Sequence, residues 1–384
     1  MKKLISLSIL LFCCIISTRC GSSVTSSSGE EASSMQYARY LNISEGDSCT
    51  FIELFNPWKT GSVLHRYALI PKENGYSAPD GWTAIHVPVE SMVIYTGTHA
   101  CIMEELGCTN SIKGVCESRY IMSDKIKAMV RQGLICDVGD SYSPDIEKIA
   151  TLKPDIIISS PFENGTYGAA EKLNIPIVEG ADYMENLPLG RTEWIKFFGL
   201  LTGCRSRADS IFADTEKRYL KLCSLTANPG EKCPTVIAEK KYGGSWGLAC
   251  RDSYIANIYR DAGGDYLFND IPGSGSIKES FEKVMERGIH SDVWLFKYAS
   301  QKPFSYGQLL AEYSLYGEFD AFKERRIYAC NTLSTPYYRD ITLHPDRILE
   351  DLIHIFHPTL IPEREDRVRY FIPLSKDTDI ASVE

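Results

Sequence analysis

The chain has 384 residues, 44% hydrophobic and 24% charged, with a formal net charge of −9. That is enough length for two domains, and the apolar fraction belongs to a folded protein and not a disordered one. The acidic balance, without a long Lys/Arg run, argues against the basic footprint that nucleic-acid binding needs, and no apolar run beyond residue 20 is long enough to span a bilayer.

The first predicted element is an export signal. Lys2 and Lys3 give a positive start, and Leu4 to Ile16 is apolar except for Ser6 and Ser8. Such a stretch is too short to cross a membrane and suits secretion. It ends at Ser17-Thr18-Arg19-Cys20-Gly21, and a Ser-rich stretch runs on to Ser34. A Cys at this point resembles the lipidation site of bacterial lipoproteins. Residues 1–19 are therefore expected to be a signal peptide, Cys20 the lipidated residue and 20–35 a flexible tether. Arg19 departs from the small residue usual before such a Cys, and ordinary signal cleavage is the alternative. Removal takes Lys2, Lys3 and Arg19 and no acid, so the net charge moves from −9 to −12. Of thirteen cysteines, ten lie beyond Cys20, none in a C-x-x-C spacing. Zinc-knuckle and thioredoxin-type sites are thus absent from the pattern, while one or two disulfides fit an oxidising compartment. For any single Cys, a buried small apolar role fits equally well.

Next comes a β-rich lead over 36–84. Cys49 to Phe55 and Val63 to Ile70 read as a hairpin around Asn56-Pro57-Trp58-Lys59-Thr60-Gly61, and 71–81 reads as loop. From about residue 83 the grammar alternates strand and helix. Val89 to Tyr95 is a strand, followed by a helix from Thr96-Gly97-Thr98 to Leu106-Gly107 and a short strand at Ile112 to Val115. Asp145 to Leu152 is a helix, Pro154 to Ile158 a buried parallel-type strand, Ala169 to Leu173 helical and Ile175 to Val178 a strand. Between Arg191 and Leu225 apolar residues recur at spacings of three and four, with a break at Gly203. The longer piece reaches about 30 Å, enough to bridge two lobes. After Asn228-Pro229-Gly230 the alternation restarts with strands at Thr235 to Glu239, Val293 to Phe296 and Ile327 to Cys330. Helices are expected at Tyr254 to Ala262 and Ile348 to Phe356. The two halves echo each other. Ile146-Glu147-Lys148-Ile149 before Pro154-Asp155-Ile156-Ile157 parallels Phe281-Glu282-Lys283-Val284 before Ser291-Asp292-Val293-Trp294.

These residues carry a family resemblance. Tyr95-Thr96-Gly97-Thr98 through Leu106-Gly107, Ile112-Lys113-Gly114-Val115, Val138-Gly139, Pro144 to Ile149 and Leu152 to Ile157 resemble one lobe of a group of periplasmic substrate-binding proteins. These are the solute receptors of ABC importers for ferric siderophores, haem and cobalamin. Leu201-Thr202-Gly203 with Ala208, Ala262-Gly263-Gly264-Asp265, Ser280 to Val284 and His357-Pro358 resemble the rest, over roughly residues 85–360. Two departures stand out: Cys101 occupies a position where the family often has Glu, and the β-rich lead is longer than usual. The resemblance implies an α/β fold of two Rossmann-like lobes joined by a single long interlobe helix, here with an N-terminal β-rich extension. The expected division is 36–190 for the N-terminal lobe with its lead, 191–226 for the interlobe helix and 227–384 for the C-terminal lobe and tail. The ligand is held between the lobes.

The residues themselves agree on the place, because ligands of parallel sheets sit beyond the carboxyl ends of the strands. The strand-end candidates are Tyr95, Thr96, Arg119, Tyr120 and Phe162 (after Pro161) in the first half. In the second they are Lys240, Tyr242, Trp246, Lys297, Tyr298, Tyr337 (beside Tyr338) and Arg339. Aromatic faces suit flat conjugated ligands and cations suit carboxylates or phosphates, which fits a haem, a ferric siderophore or a corrinoid. Gly243-Gly244-Ser245-Trp246-Gly247 lacks phosphate-loop spacing and reads as a mobile cleft loop presenting Trp246. The family docks on its permease through one Glu per lobe; Glu282 matches the second, and Glu163, with Glu171 behind it, is the candidate for the first.

No nucleophile-elbow or zincin motif occurs, so no enzyme and no resident cofactor are expected. The seven His are dispersed. A convergence of His99, His290 and His344 would make a receptor for bare zinc or manganese, the first alternative. A surface glycan- or partner-binding lipoprotein using 36–84 is the second. The leading expectation is a monomeric, lipid-anchored receptor in the periplasm or cell envelope. It hands an iron or cobalt chelate to an ABC permease and its ATPase, with modest lobe closure.

Overall fold

The computed structural model describes residues 35–227, 230, 232–362 and 369–376. The signal peptide, Cys20, nearly all of the tether and the Asn228-Pro229 turn lie outside them.

Two parallel sheets form the two halves. In the first, Met92–Ile94 sits at the centre between Ile156–Ser159 and Ile112–Val115, with Ile177–Glu179 and Cys136–Asp137 outermost, all parallel. In the second, the parallel strands Asp265–Tyr266, Thr235–Ala238, Val293–Tyr298 and Ile327–Asn331 lie in that order, and Ile372–Pro373 closes the edge antiparallel. The central strands are continuous apolar runs because both faces are covered, as parallel sheets require: Ile156, Ile157 and Ile158 are buried, as are Val293, Trp294, Leu295 and Phe296.

The sequence echo has a structural meaning. Asp145 caps the Ile146–Leu152 helix through the Lys148 amide, and Ser280 caps Phe281–Gly288 through the Lys283 amide. The Asp before each following strand then holds the start of the neighbouring strand. Asp155 accepts the Glu90 and Ser91 amides at 2.9 and 3.0 Å, and Asp292 accepts the Thr235 amide and hydroxyl at 2.9 and 2.8 Å.

The β-rich lead is a four-stranded sheet of Leu41–Glu45, Thr50–Phe55, Val63–Pro71 and Thr83–Val87, antiparallel except for the last pair. It is part of the first lobe, since Leu41, Ile52, Leu54, Tyr67 and Ile85 share one core with Met92, Ile94 and Phe197. Two buried carboxylates fasten its start. Glu193 accepts the amides of Gln36, Tyr37 and Ala38, and Glu185 those of Arg39 and Tyr40.

The connector is three helices, Pro188–Glu193, Ile195–Thr202 and Arg205–Thr226. The break falls at Gly203, whose φ of +72° closes the second helix in the left-handed conformation that favours glycine. The last helix has 22 residues, about 33 Å at 1.5 Å per residue. Ala208 and Phe212 on it enter the core of the first lobe, and Tyr219 and Leu222 that of the second. The lobes also meet away from this helix. Leu343, at the end of Tyr337–Leu343, is buried in the first lobe's core, and His344 Nε2 lies 3.7 Å from Glu105.

Candidate ligand cleft

The first lobe's strand ends wall a cavity of about 630 Å³. Tyr95 follows Met92–Ile94, with its amide donated to the Ile158 carbonyl, and Ser160 to Phe162 follow the neighbouring strand, which ends at Ser159. The wall is aromatic and hydroxylic: Tyr95, Tyr142, Phe162, Tyr167 and Tyr183, with Thr96, Ser141, Ser143, Ser159, Ser160 and Thr166. Among the described residues no acidic or basic side chain lines it. Tyr142 is 88% exposed and forms the outer lip, whereas Tyr95 is 3% exposed and its hydroxyl has no hydrogen-bond partner.

The charges sit behind this wall and are answered there. Tyr167 donates to Glu179 Oε1 at 2.6 Å, and His65 Nε2 lies 2.8 Å from the other oxygen. His99 is held between Thr96 Oγ1 at 2.7 Å and Asp182 Oδ1 at 2.8 Å, with 1% of its surface exposed. Burial, then Glu179, pushes the Tyr167 phenol up. Burial raises Tyr95 and, with Asp182 and Glu179, Tyr183. These phenols stay protonated and neutral.

A second cavity, of about 450 Å³, adjoins the first at Tyr183 and opens against the other lobe. Its walls include Glu185, Arg191, Glu239, Tyr254 and the Gly247 to Ala249 strand. The Arg191 guanidinium lies 3.8 Å from the Tyr254 ring centroid, donates to the Tyr183 carbonyl, and so ties the connector to the second lobe. Glu239 stands at the strand end with φ of +64° and is ion-paired to Lys297. Burial opposes the charge on Lys297, but Glu239 and the surrounding phenols outweigh it and hold the ammonium protonated.

Of the strand-end candidates, the structure brings Tyr95, Thr96 and Phe162 into the first cavity. Lys297 and Tyr337 lie beside the second through Glu239; the Lys297 ammonium is 5.7 Å from the Tyr337 ring, and Tyr337 is buried with an unpartnered hydroxyl. Arg119 and Tyr120 are exposed and stacked on each other at 4.6 Å, and neither lines a described cavity. Lys240 is paired with Glu312 at 2.5 Å, Arg339 with Asp340 at 2.6 Å, Tyr242 is 90% exposed, and the Tyr298 hydroxyl accepts the Phe304 amide. Trp246 corrects the reading of a mobile loop. It lies in the strand Ser245–Ala249, is fully buried, donates to the Ala238 carbonyl and stacks on Trp294 at 5.6 Å. The glycines before it only turn that hairpin. Sequence reasoning missed Tyr142, Tyr167, Tyr183, Arg191 and Tyr254. The loop signals Gly139-Asp140 and Asn164-Gly165 after strands could have flagged the first two; nothing local marks the Arg191–Tyr254 contact.

The three His weighed as an ion site are apart in their partnerships: His99 with Asp182, His290 with Asp320, His344 with Glu105. Among the described residues no three His, Cys, Asp or Glu side chains gather around one ion position. The ten cysteines there are free thiols, Cys108 and Cys204 being 3.1 Å apart, so the expected disulfides are not formed.

Two parallel sheets with cavities at strand ends place ligand space where open α/β folds offer it. The chain belongs to the periplasmic binding protein family, whose model matches residues 92–332. It is 29% identical to an uncharacterised lipoprotein of Methanocaldococcus jannaschii, over 79% of this chain and 73% of that protein. Among solved structures it is similar to a periplasmic haem-binding protein from Roseiflexus, with 20% identity, a TM-score of 0.56 and coverage of 71% and 99%. A siderophore-binding protein from Vibrio cholerae with Fe3+-Desferal bound aligns with 17% identity, a TM-score of 0.50 and coverage of 70% and 99%.

Proposed function

We propose that this chain is the receptor of an ABC importer that binds an iron or cobalt chelate, a siderophore, haem or cobalamin, between its lobes. The observation that carries the reading is the paired cavity. About 630 Å³ of aromatic and hydroxyl-lined space at the strand ends, adjoined by about 450 Å³ bordered by Glu185, Arg191 and Glu239, suits a ligand much larger than a bare ion. Similar proteins include a haem-binding protein, solved in its apo form, and a siderophore-binding protein with Fe3+-Desferal bound. Equilibrium dialysis of the purified protein against haemin, cyanocobalamin and a set of ferric siderophores tests it: one of them is expected to bind with a single site, and binding of none of them overturns the reading.

Two surface roles belong to the same proposal. Glu163 is exposed beside Phe162, and Glu282 is exposed in the first turn of Phe281–Gly288, where that turn's amides, Ser280 and Lys241 keep it ionised below the usual carboxylate range. These carboxylates dock the receptor on its permease. Glu163→Arg and Glu282→Arg should each lower ligand-dependent ATPase stimulation of the reconstituted transporter, and Glu282→Arg, away from the cavity walls, should leave the chelate affinity unchanged. Cys20 is the lipid anchor, and globomycin-sensitive processing with a diacylglyceryl-modified N-terminal peptide is the expected finding.

A further inference from the structure

Among the described residues, the basic side chains named at the strand ends and the second cavity mostly have partners already. Lys297 is paired with Glu239, and Arg191 lies over Tyr254 and on the Tyr183 carbonyl. Lys240 is bound to Glu312, and Arg339 to Asp340. The larger cavity has no basic side chain among its described lining residues, while Glu179 and Asp182 stand directly behind it. A ligand carboxylate, sulfonate or catecholate entering this space would lose its water and find hydroxyl donors but no counter-charge. That is costly for an ion and cheap for an uncharged amide or hydroxamate. The wall is well suited to the second kind: Ser and Thr hydroxyls donate or accept, and the buried Tyr95 hydroxyl is left without a partner.

We infer that the cleft selects metal chelates of zero or positive net charge and discriminates against those with ionised groups at their rim. This rests on the chelate reading above and adds the chemical class of its ligand. The test is a matched panel in isothermal titration. Ferrioxamine B (cationic) and cyanocobalamin (neutral overall) are set against haemin and a ferric tris-catecholate (both anionic). At least one of the first pair is expected to bind about tenfold or more tighter than either of the second, a difference of about 1.4 kcal/mol. An anionic chelate that binds as tightly as the best neutral or cationic one overturns the inference and leaves the chelate reading standing. If none of the four, nor any other chelate of the dialysis panel, binds, the chelate reading itself fails. A second measurement separates charge from shape. Thr166 is exposed on the wall, so Thr166→Lys supplies the missing cation without entering the core. It should strengthen binding of the anionic chelates and weaken that of ferrioxamine B; if both are unmoved, charge is not what the cleft reads and the inference falls.

Discussion

The Glu193 carboxylate is fully buried, yet it faces four donors: the amides of Gln36, Tyr37 and Ala38 and, at 2.9 Å, the Lys196 ammonium. Removing it would leave three amides unpaired inside the protein. Glu193→Ala is expected to lower the unfolding free energy by about 3 kcal/mol in urea titration, and a loss under about 1 kcal/mol would show that water takes the carboxylate's place. Cys108 and Cys204 make a second residue-scale prediction. Their sulfurs are 3.1 Å apart, and burial with the neighbouring thiol pushes Cys108 up to about 11, which slows but does not prevent exchange. An added aromatic disulfide should link the two without refolding, and peptide mapping should find them crosslinked with no reagent retained; a stable reagent adduct on either sulfur would show that they do not meet. Neither fact was legible in the sequence, since 96 residues separate the sulfurs and more than 150 separate Glu193 from the amides it holds. The same blindness affects the cleft. Sequence marks Lys297, Lys240 and Arg339 as cations at strand ends but does not show that they pair with Glu239, Glu312 and Asp340.

At the scale of elements the reading was far better, because a strand buried on both faces and a capped amphipathic helix announce themselves in a local window. The echoed Asp155 and Asp292 were visible as a pattern, and their shared job, fastening the neighbouring strand, needed the sheet order to be seen. Trp246 failed for the opposite reason. A run of glycines beside an aromatic looks like a loop, but here the hairpin Lys241–Tyr242 and Ser245–Ala249 turns the ring into the core. The Asp292 clasp yields a pH prediction. Burial works against its ionisation, but the Thr235 amide and hydroxyl, with Arg326, overcome this and hold it below the usual carboxylate range. A depressed folded pKa means that the native state binds fewer protons, so the stabilisation is complete above the unfolded-state pKa and is lost as pH falls through the folded one. Asp292→Asn should therefore cost about 1–3 kcal/mol at pH 7. The gap to the wild type should narrow as the pH is lowered below about 4. A gap that stays constant down to pH 2 would mean that packing, and not the charge, carries the effect.

For the whole molecule, the decisive feature is that one helix serves two cores. Ala208 and Phe212 are buried in the first lobe and Tyr219 and Leu222 in the second, all on Arg205–Thr226. The return of the chain adds a second seam, with Leu343 in the first lobe's core, Thr192 Oγ1 donating to the Thr342 carbonyl at 2.8 Å, and Arg218 against Asp346 at 3.2 Å. Neither lobe can lose its core without loosening an element the other needs, so the two should melt together, as elements of one cooperative unit do. Calorimetry should show a single peak whose van't Hoff and calorimetric enthalpies agree. The helix is then the place to break the coupling. Thr215 lies between the two buried pairs and is itself buried, and Thr215→Pro would remove one helical hydrogen bond and cost about 3 kcal/mol or more. The variant should unfold in two separated steps, with the lobes each retaining their sheets after the helix has failed. A single, merely lowered transition would place the coupling in the seam at Leu343 and Thr342, and Leu343→Ala in the same background would then be the substitution that separates them.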